Sequence, residues 1–233
     1  GVPGTGPGPQ LASPANDNRV LPVNGVVTVG PTPPPDTGSI TDLRAPPPKV
    51  VGEVAAPVSV VGPPLSIAVT PDEGLAIVTA SNKVDPKDPT KQTPNDDVTV
   101  IDLKSTPPKV IASLKAGRGA SGISINRAGT LALVSNLVDG TVSIFTIQGK
   151  TVTPAGTLEV GGEKAGGGMV AITPDGKTAL VSRNNDNKVS VLSIEGSKVE
   201  YTKRDMVPGL RPIVMDIAWA LFEDSAKQNI RLF

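Results

Sequence analysis

Met169-Val-Ala-Ile-Thr-Pro-Asp-Gly-Lys-Thr-Ala-Leu-Val-Ser182 is two short apolar runs set around a tight turn. Proline presets φ near −65° and glycine accepts a positive φ, so Thr173-Pro-Asp-Gly176 reads as a hairpin turn. The pattern occurs twice more, as Ser66-Ile-Ala-Val-Thr-Pro-Asp-Glu-Gly-Leu-Ala-Ile-Val-Thr79 and Gly122-Ile-Ser-Ile-Asn-Arg-Ala-Gly-Thr-Leu-Ala-Leu-Val-Ser135. Thr70-Pro-Asp-Glu-Gly74 is a slightly altered turn, whereas Asn126-Arg-Ala-Gly129 keeps the Gly but loses Pro-Asp. Val78, Val134 and Val181 hold one position, at spacings of 56 and 47 residues.

A second pair of runs follows each hairpin. Val98-Thr-Val-Ile-Asp-Leu103 precedes Lys109-Val-Ile-Ala-Ser-Leu114, and Thr141-Val-Ser-Ile-Phe-Thr-Ile147 precedes the run 151–160. Lys188-Val-Ser-Val-Leu-Ser-Ile194 precedes Lys198-Val-Glu-Tyr201. An earlier copy is Gly38-Ser-Ile-Thr-Asp-Leu43 with Lys49-Val-Val-Gly-Glu-Val54. Each unit predicts a meander of four short strands. A sheet apolar on both faces, as in Leu131-Ala-Leu-Val134, cannot cover itself, so neighbouring units must stack. Radial stacking also protects the sheet edges. The expectation is an all-β fold, a β-propeller of four-stranded antiparallel blades, with three full blades, a partial one before them and a stub after.

Composition narrows the chemistry. Twenty-two basic residues balance 22 acidic ones, which argues against a nucleic-acid or anionic-membrane binder. Aromatics at 2% leave little with which to stack bases. There is no histidine and no cysteine. That removes Ser-His-Asp and Cys-His catalysis, His- or Cys-ligated zinc and disulfides. No apolar run reaches the roughly 18 residues of a membrane helix. Gly161-Gly-Glu-Lys-Ala-Gly-Gly-Gly168 lacks the Gly-Lys-Ser/Thr ending of a phosphate loop and leads into a strand, so it reads as a turn. No cofactor is implied.

The runs Ile77-Val-Thr-Ala80, Leu133-Val-Ser-Asn136 and Leu180-Val-Ser-Arg183 each lead to a Val-Ser-Val-like strand. They resemble the YVTN-type repeat of bacterial propellers of the YncE-like and lactonase-like group, over about residues 38–217. The resemblance implies the WD40-like propeller fold and a periplasmic or secreted location. It does not imply one function, because the group includes enzymes, binding proteins and surface-layer proteins.

Residues 1–36 read as a Gly/Pro-rich arm or a degraded first blade, with Val26-Val-Thr-Val29 strand-like; residues 37–217 carry the blades. Ile213-Val-Met-Asp-Ile217 begins a further blade. In 218–233 the spacing of Trp219, Phe222, Ala226, Ile230 and Phe233 predicts a short amphipathic helix or else an atypical tail. Both ends break the pattern, which reads as a fragment, a small closed ring or one part of an assembly.

In an antiparallel four-stranded unit, connections after the second and fourth strands leave from one face. That gathers 82–97, 115–120, 161–167 and 207–212 where loops on a rigid scaffold usually bind. Asp85, Asp88, Asp96 and Asp97 in the first of these are a candidate hard-cation site. Lys83, Lys87 and Lys91 would compete, and a solvated loop is the plainer reading. Arg118, Lys164 and Arg211 recur in the connections between units, a candidate site for a carboxylate or phosphate ligand. The plainer reading is that they solvate Gly-rich loops. No catalytic set emerges.

The leading expectation is a non-catalytic binding scaffold for a small anionic ligand or a protein partner at this face. One alternative is a lactonase-like hydrolase, with Arg118, Lys164 and Arg211 on the substrate and Asp97 or Glu163 as base; the lack of histidine weakens it. A structural surface-layer module is the other.

Overall fold

In the computed structural model, residues 11–16, 20–23, 26–29, 34–59 and 66–207 are described, and all their regular elements are strands. They run β1 Leu11–Ala12, β2 Ala15–Asn16, β3 Val20–Val23, β4 Val26–Val29, β5 Thr37–Asp42 and β6 Lys49–Ala55. Next come β7 Ile67–Val69, β8 Leu75–Thr79, β9 Asn82–Asp85, β10 Asp88–Pro94, β11 Asp97–Asp102 and β12 Lys109–Lys115. Then follow β13 Ala120–Ile125, β14 Leu131–Asn136, β15 Thr141–Gln148 and β16 Thr151–Glu159. The last are β17 Gly167–Ile172, β18 Thr178–Arg183, β19 Lys188–Glu195 and β20 Lys198–Met206.

Three antiparallel four-stranded sheets carry the repeat: β7-β8-β11-β12, β13-β14-β15-β16 and β17-β18-β19-β20. The hairpins expected at 66–79, 122–135 and 169–182 are the first pair of each. Their turns close as their residues dictate. Gly176 N donates to Thr173 O at 2.8 Å and Gly129 N to Asn126 O at 2.9 Å. In the altered turn the positive φ falls on Glu73, at 54°, instead of on Gly74.

A fourth sheet precedes these three. β1 and β2 both pair with β5 in one unbroken register, Leu11↔Asp42, Ala12↔Thr41, Ala15↔Gly38 and Asn16↔Thr37. They are therefore two halves of one strand interrupted at Ser13-Pro14. Residues 11–16 thus belong to the first sheet, in the place that β8, β14 and β18 hold in the others. The long segment 82–97, read as a loop, instead contains the hairpin β9–β10. The further strand at 213–217 and the helix or tail at 218–233 lie outside the described residues.

The sheets stack through their apolar faces. Leu75, Ile77, Val98 and Val100 of the second sheet pack with Ala132, Val134, Phe145 and Ile147 of the third. Leu131, Leu133, Val142 and Ile144 on the opposite face meet Val170, Val181, Leu192 and Ile194 of the fourth. Ile40 and Val54 of the first sheet meet Ala76, Val78 and Ile101 of the second. Burying a side chain such as Phe145 contributes about 1.5–3 kcal/mol, so these layers dominate stability. First strands of neighbouring sheets crowd together, β13 on β17 and on β7, while the fourth strands β12 and β6, or β16 and β20, touch little. Sheets that converge inside and splay outside are propeller blades. At the crowded inner edge a Cβ on Gly122 would lie 2.8 Å from Met169 Cα, so only glycine fits there.

Candidate functional site

The connections after second and fourth strands are stitched together across blades. Gly119 N and Ala120 N both donate to Asn95 O, at 2.8 and 3.1 Å. Leu137 N donates to Gly119 O, Val160 N to Gly140 O, and Asn184 N to Gly166 O. Each connection entering a blade is thus bonded to a turn inside a blade, and together they form one face.

Arg118 sits on this face and is held from two blades. Its Nε donates to Asp139 Oδ1 at 2.7 Å and its NH2 group to Glu163 Oε1 at 2.7 Å. Its backbone N also donates to Asp139 Oδ2 at 2.8 Å. The Asp139 carboxylate, and then that of Glu163, push the guanidinium pKa further up. Lys164 is exposed on the same connection. Arg211 lies outside the described residues.

The four aspartates do not assemble as a set. Asp96 and Asp97 share Lys115, whose Nζ lies 2.8 and 2.6 Å from their oxygens. Hydrogen bonds to Asp96 and Asp97 push Lys115 up to about 12. Burial raises the Asp97 pKa, but Lys115 and Asn95 outweigh it and the carboxyl sits below its ordinary value. Asp88 pairs with Lys91 at 2.9 Å and accepts from Thr90, while Asp85 accepts from Lys87 N at 2.8 Å. Among the described residues no group of three or more acidic side chains is placed to hold a metal ion.

One cluster escaped the sequence reading. Arg183, at the end of β18, is buried and uses its whole guanidinium. It donates to Asp186 through Nε at 3.0 Å and through NH2, and to Asp205 Oδ2 through NH1 at 3.0 Å. Ser190 and Tyr201 complete its partners at 3.4 and 3.5 Å. Burial, and then the bond to Asp205, push the Tyr201 phenol up. Gly161 lies against the guanidinium, where a Cβ would come within 2.7 Å of Cζ. The network fixes β18, β19, β20 and the 160–166 connection to one another. The signal was present in the repeat, since Arg183 falls where Ala80 and Asn136 stand in the preceding blades. A charge there needs buried partners.

Paired this way, the face carries balanced charge, and the one candidate base with a second acid beside it, Asp97, shares Lys115 with that acid, Asp96. The fold is a set of β-propeller blades. Solved structures with this fold include hydrazine synthase from Kuenenia stuttgartiensis, 24% identical, covering 73% of this chain and 43% of that one with a TM-score of 0.53. The periplasmic gluconolactonase of Pseudomonas aeruginosa is 11% identical and covers 88% of this chain and 56% of that one, with a TM-score of 0.62. A Bacteroides uniformis protein provisionally assigned as a 6-phosphogluconolactonase is 17% identical, covering 73% and 48%, with a TM-score of 0.54. The chain therefore spans about half the length of these structures. No protein-family model and no curated protein matches it. Among the described residues no helix is long and apolar enough to cross a membrane.

Proposed function

We propose that the chain is a non-catalytic propeller scaffold that binds a partner on the face carrying Arg118, in the periplasm or outside the cell. The observation behind this reading is the occupancy of the groups a hydrolase would need. Arg118 is bridged to Asp139 and Glu163, and Asp97 is bonded to Lys115. A carboxylate held below its ordinary pKa is a weak general base near neutral pH. The YVTN-type repeat and the likeness to a periplasmic propeller support the location.

The second reading is a lactonase-like hydrolase, favoured by the fold shared with a gluconolactonase. Hydrolysis of gluconolactone and of 6-phosphogluconolactone, followed by proton release, separates the two. The scaffold reading expects the background rate with the native chain and with Arg118→Ala. Catalysed hydrolysis lost in Arg118→Ala would replace it with the second reading.

A further inference from the structure

Arg118 is gripped unequally by its two carboxylates. Asp139 accepts from Nε at 2.7 Å and from the main-chain N at 2.8 Å, so both its oxygens are engaged. The Asp139 side chain is 27% exposed. Glu163 accepts a single bond, from NH2 at 2.7 Å, and its side chain is 73% exposed. Among the described residues NH1 has no partner. One edge of the guanidinium is therefore fixed to the 137–140 turn, and the outer edge, between NH1 and NH2, is half used. Lys164 follows Glu163 in the chain, is exposed and makes no ion pair among the described residues.

The Glu163 side chain can leave without moving the connection that bears it. Val160 N donates to Gly140 O at 3.0 Å and Ala165 N to Gly162 O at 2.9 Å, so the main chain around it is tied independently. An ion pair between exposed groups contributes little to stability, because water replaces each partner. Main-chain bonds and apolar layers join the blades, so stacking does not depend on this pair. What Glu163 does is cover a cation of the face with a carboxylate. A carboxylate is also the group whose two oxygens match the parallel donors of a guanidinium edge.

We propose that Glu163 is a built-in competitor at an anion site, and that an acidic segment of a partner protein displaces it from Arg118. This rests on the scaffold reading above and names the partner of that face. One incoming carboxylate takes NH1 and NH2 together, two bonds in place of one, while Asp139 holds the guanidinium from its other edge. A segment with neighbouring acids fits because two separate cations are offered, Arg118 from one connection and Lys164 from the next. With Glu163 in place the four charges balance, so an anion that cannot form the paired bonds gains little.

Binding of a fluorescein-labelled octaglutamate peptide, read by anisotropy at low ionic strength, tests this. Glu163→Ala should bind about two- to fivefold more tightly than the native chain at an unchanged melting temperature, and Glu163→Gln should shift in the same direction. Arg118→Ala should bind at least about tenfold more weakly, and Lys164→Ala should also lose affinity. Glu195→Ala, exposed on the opposite face, should match the native chain and so control for general charge. No binding by the native chain overturns the inference. So does unchanged or weaker binding by Glu163→Ala, or equal tightening in Glu195→Ala. Citrate or inorganic phosphate competing at the concentration of the peptide would make the ligand a small anion and overturn the acidic segment. In each case the scaffold reading stands, since it falls only to catalysed lactone hydrolysis lost in Arg118→Ala.

Discussion

Asn16 does in the first blade what Asn136 does in the third. Asn136 Nδ2 donates to Thr141 Oγ1 at 2.8 Å and to Ser143 Oγ at 2.9 Å. Asn16 Nδ2 donates to Thr37 Oγ1 at 3.4 Å and to Ser39 Oγ at 2.7 Å. In each case an amide at the end of a second strand reaches two hydroxyls on the third. In the fourth blade Arg183 replaces the amide and still reaches Ser190. Three of the four blades therefore keep a polar contact at the strand end, whereas the second has Ala80 there.

That contact should be costly to lose. Asn136 is fully buried, and its Oδ1 also accepts from Gly117 N at 3.1 Å. Asn136→Ala removes one of the two acceptors of that N–H, the other being Ser143 Oγ at 3.1 Å, and takes the amide donor from the Thr141 and Ser143 hydroxyls. The expected destabilisation is about 1–3 kcal/mol, read as a lower urea midpoint at unchanged slope.

Glycine substitutions should split by surroundings. Gly140 has φ 63°, and a Cβ there would fall 1.7 Å from Gly162 O, in the next connection. Gly149 has φ 57°, with nothing within 4 Å of its Cβ position. Gly149→Ala meets backbone strain alone and should cost about 1 kcal/mol. Gly140→Ala must also displace the 160–166 connection and should cost about 3 kcal/mol or more, measured as thermal unfolding of the two variants side by side.

Much of this was readable because hairpin chemistry is local. Pro-Asp-Gly turns and paired apolar runs located the three complete blades and the pair β5–β6. The first blade's second strand was hidden, because Leu11-Ala-Ser-Pro-Ala-Asn16 carries a proline and no β-branched residue. Its Leu-Ala start and Asn end match Leu131-Ala-Leu-Val-Ser-Asn136, and that similarity was the available signal. The β9–β10 hairpin was hidden by its lysines, aspartates and prolines, all poor strand formers. The partners of Arg118 were not legible, since Asp139 and Glu163 reach it only once two blades are stacked.

Ion pairing between blades should show in the pH dependence. Asp102, whose side chain is 3% exposed, accepts from Lys150 Nζ of the next blade at 2.6 Å. That bond, against an opposing effect of burial, lowers its pKa below the usual carboxylate value of about 3.9. A depressed folded-state pKa contributes stability above the unfolded value, and that stability is lost as pH falls through the folded one. Lys150→Met should therefore be less stable than the native chain at pH 7, with the gap narrowing steadily below about pH 4. Unfolding in urea at several pH values measures it. A gap that holds or widens in acid would count against this pairing.

Hydrogen exchange tests the stacked blades most directly. Every residue of β8 and β14, and all of β18 but Thr178, is buried between neighbouring strands and sheets, whereas β12, β16 and β20 are largely open to solvent. Native-state exchange should find 75–79, 131–136 and 178–183 the slowest segments, with the fourth strands of the same blades exchanging well ahead of them. Equal protection across all four strands, or slower exchange in the fourth strands than in the second, would contradict the arrangement.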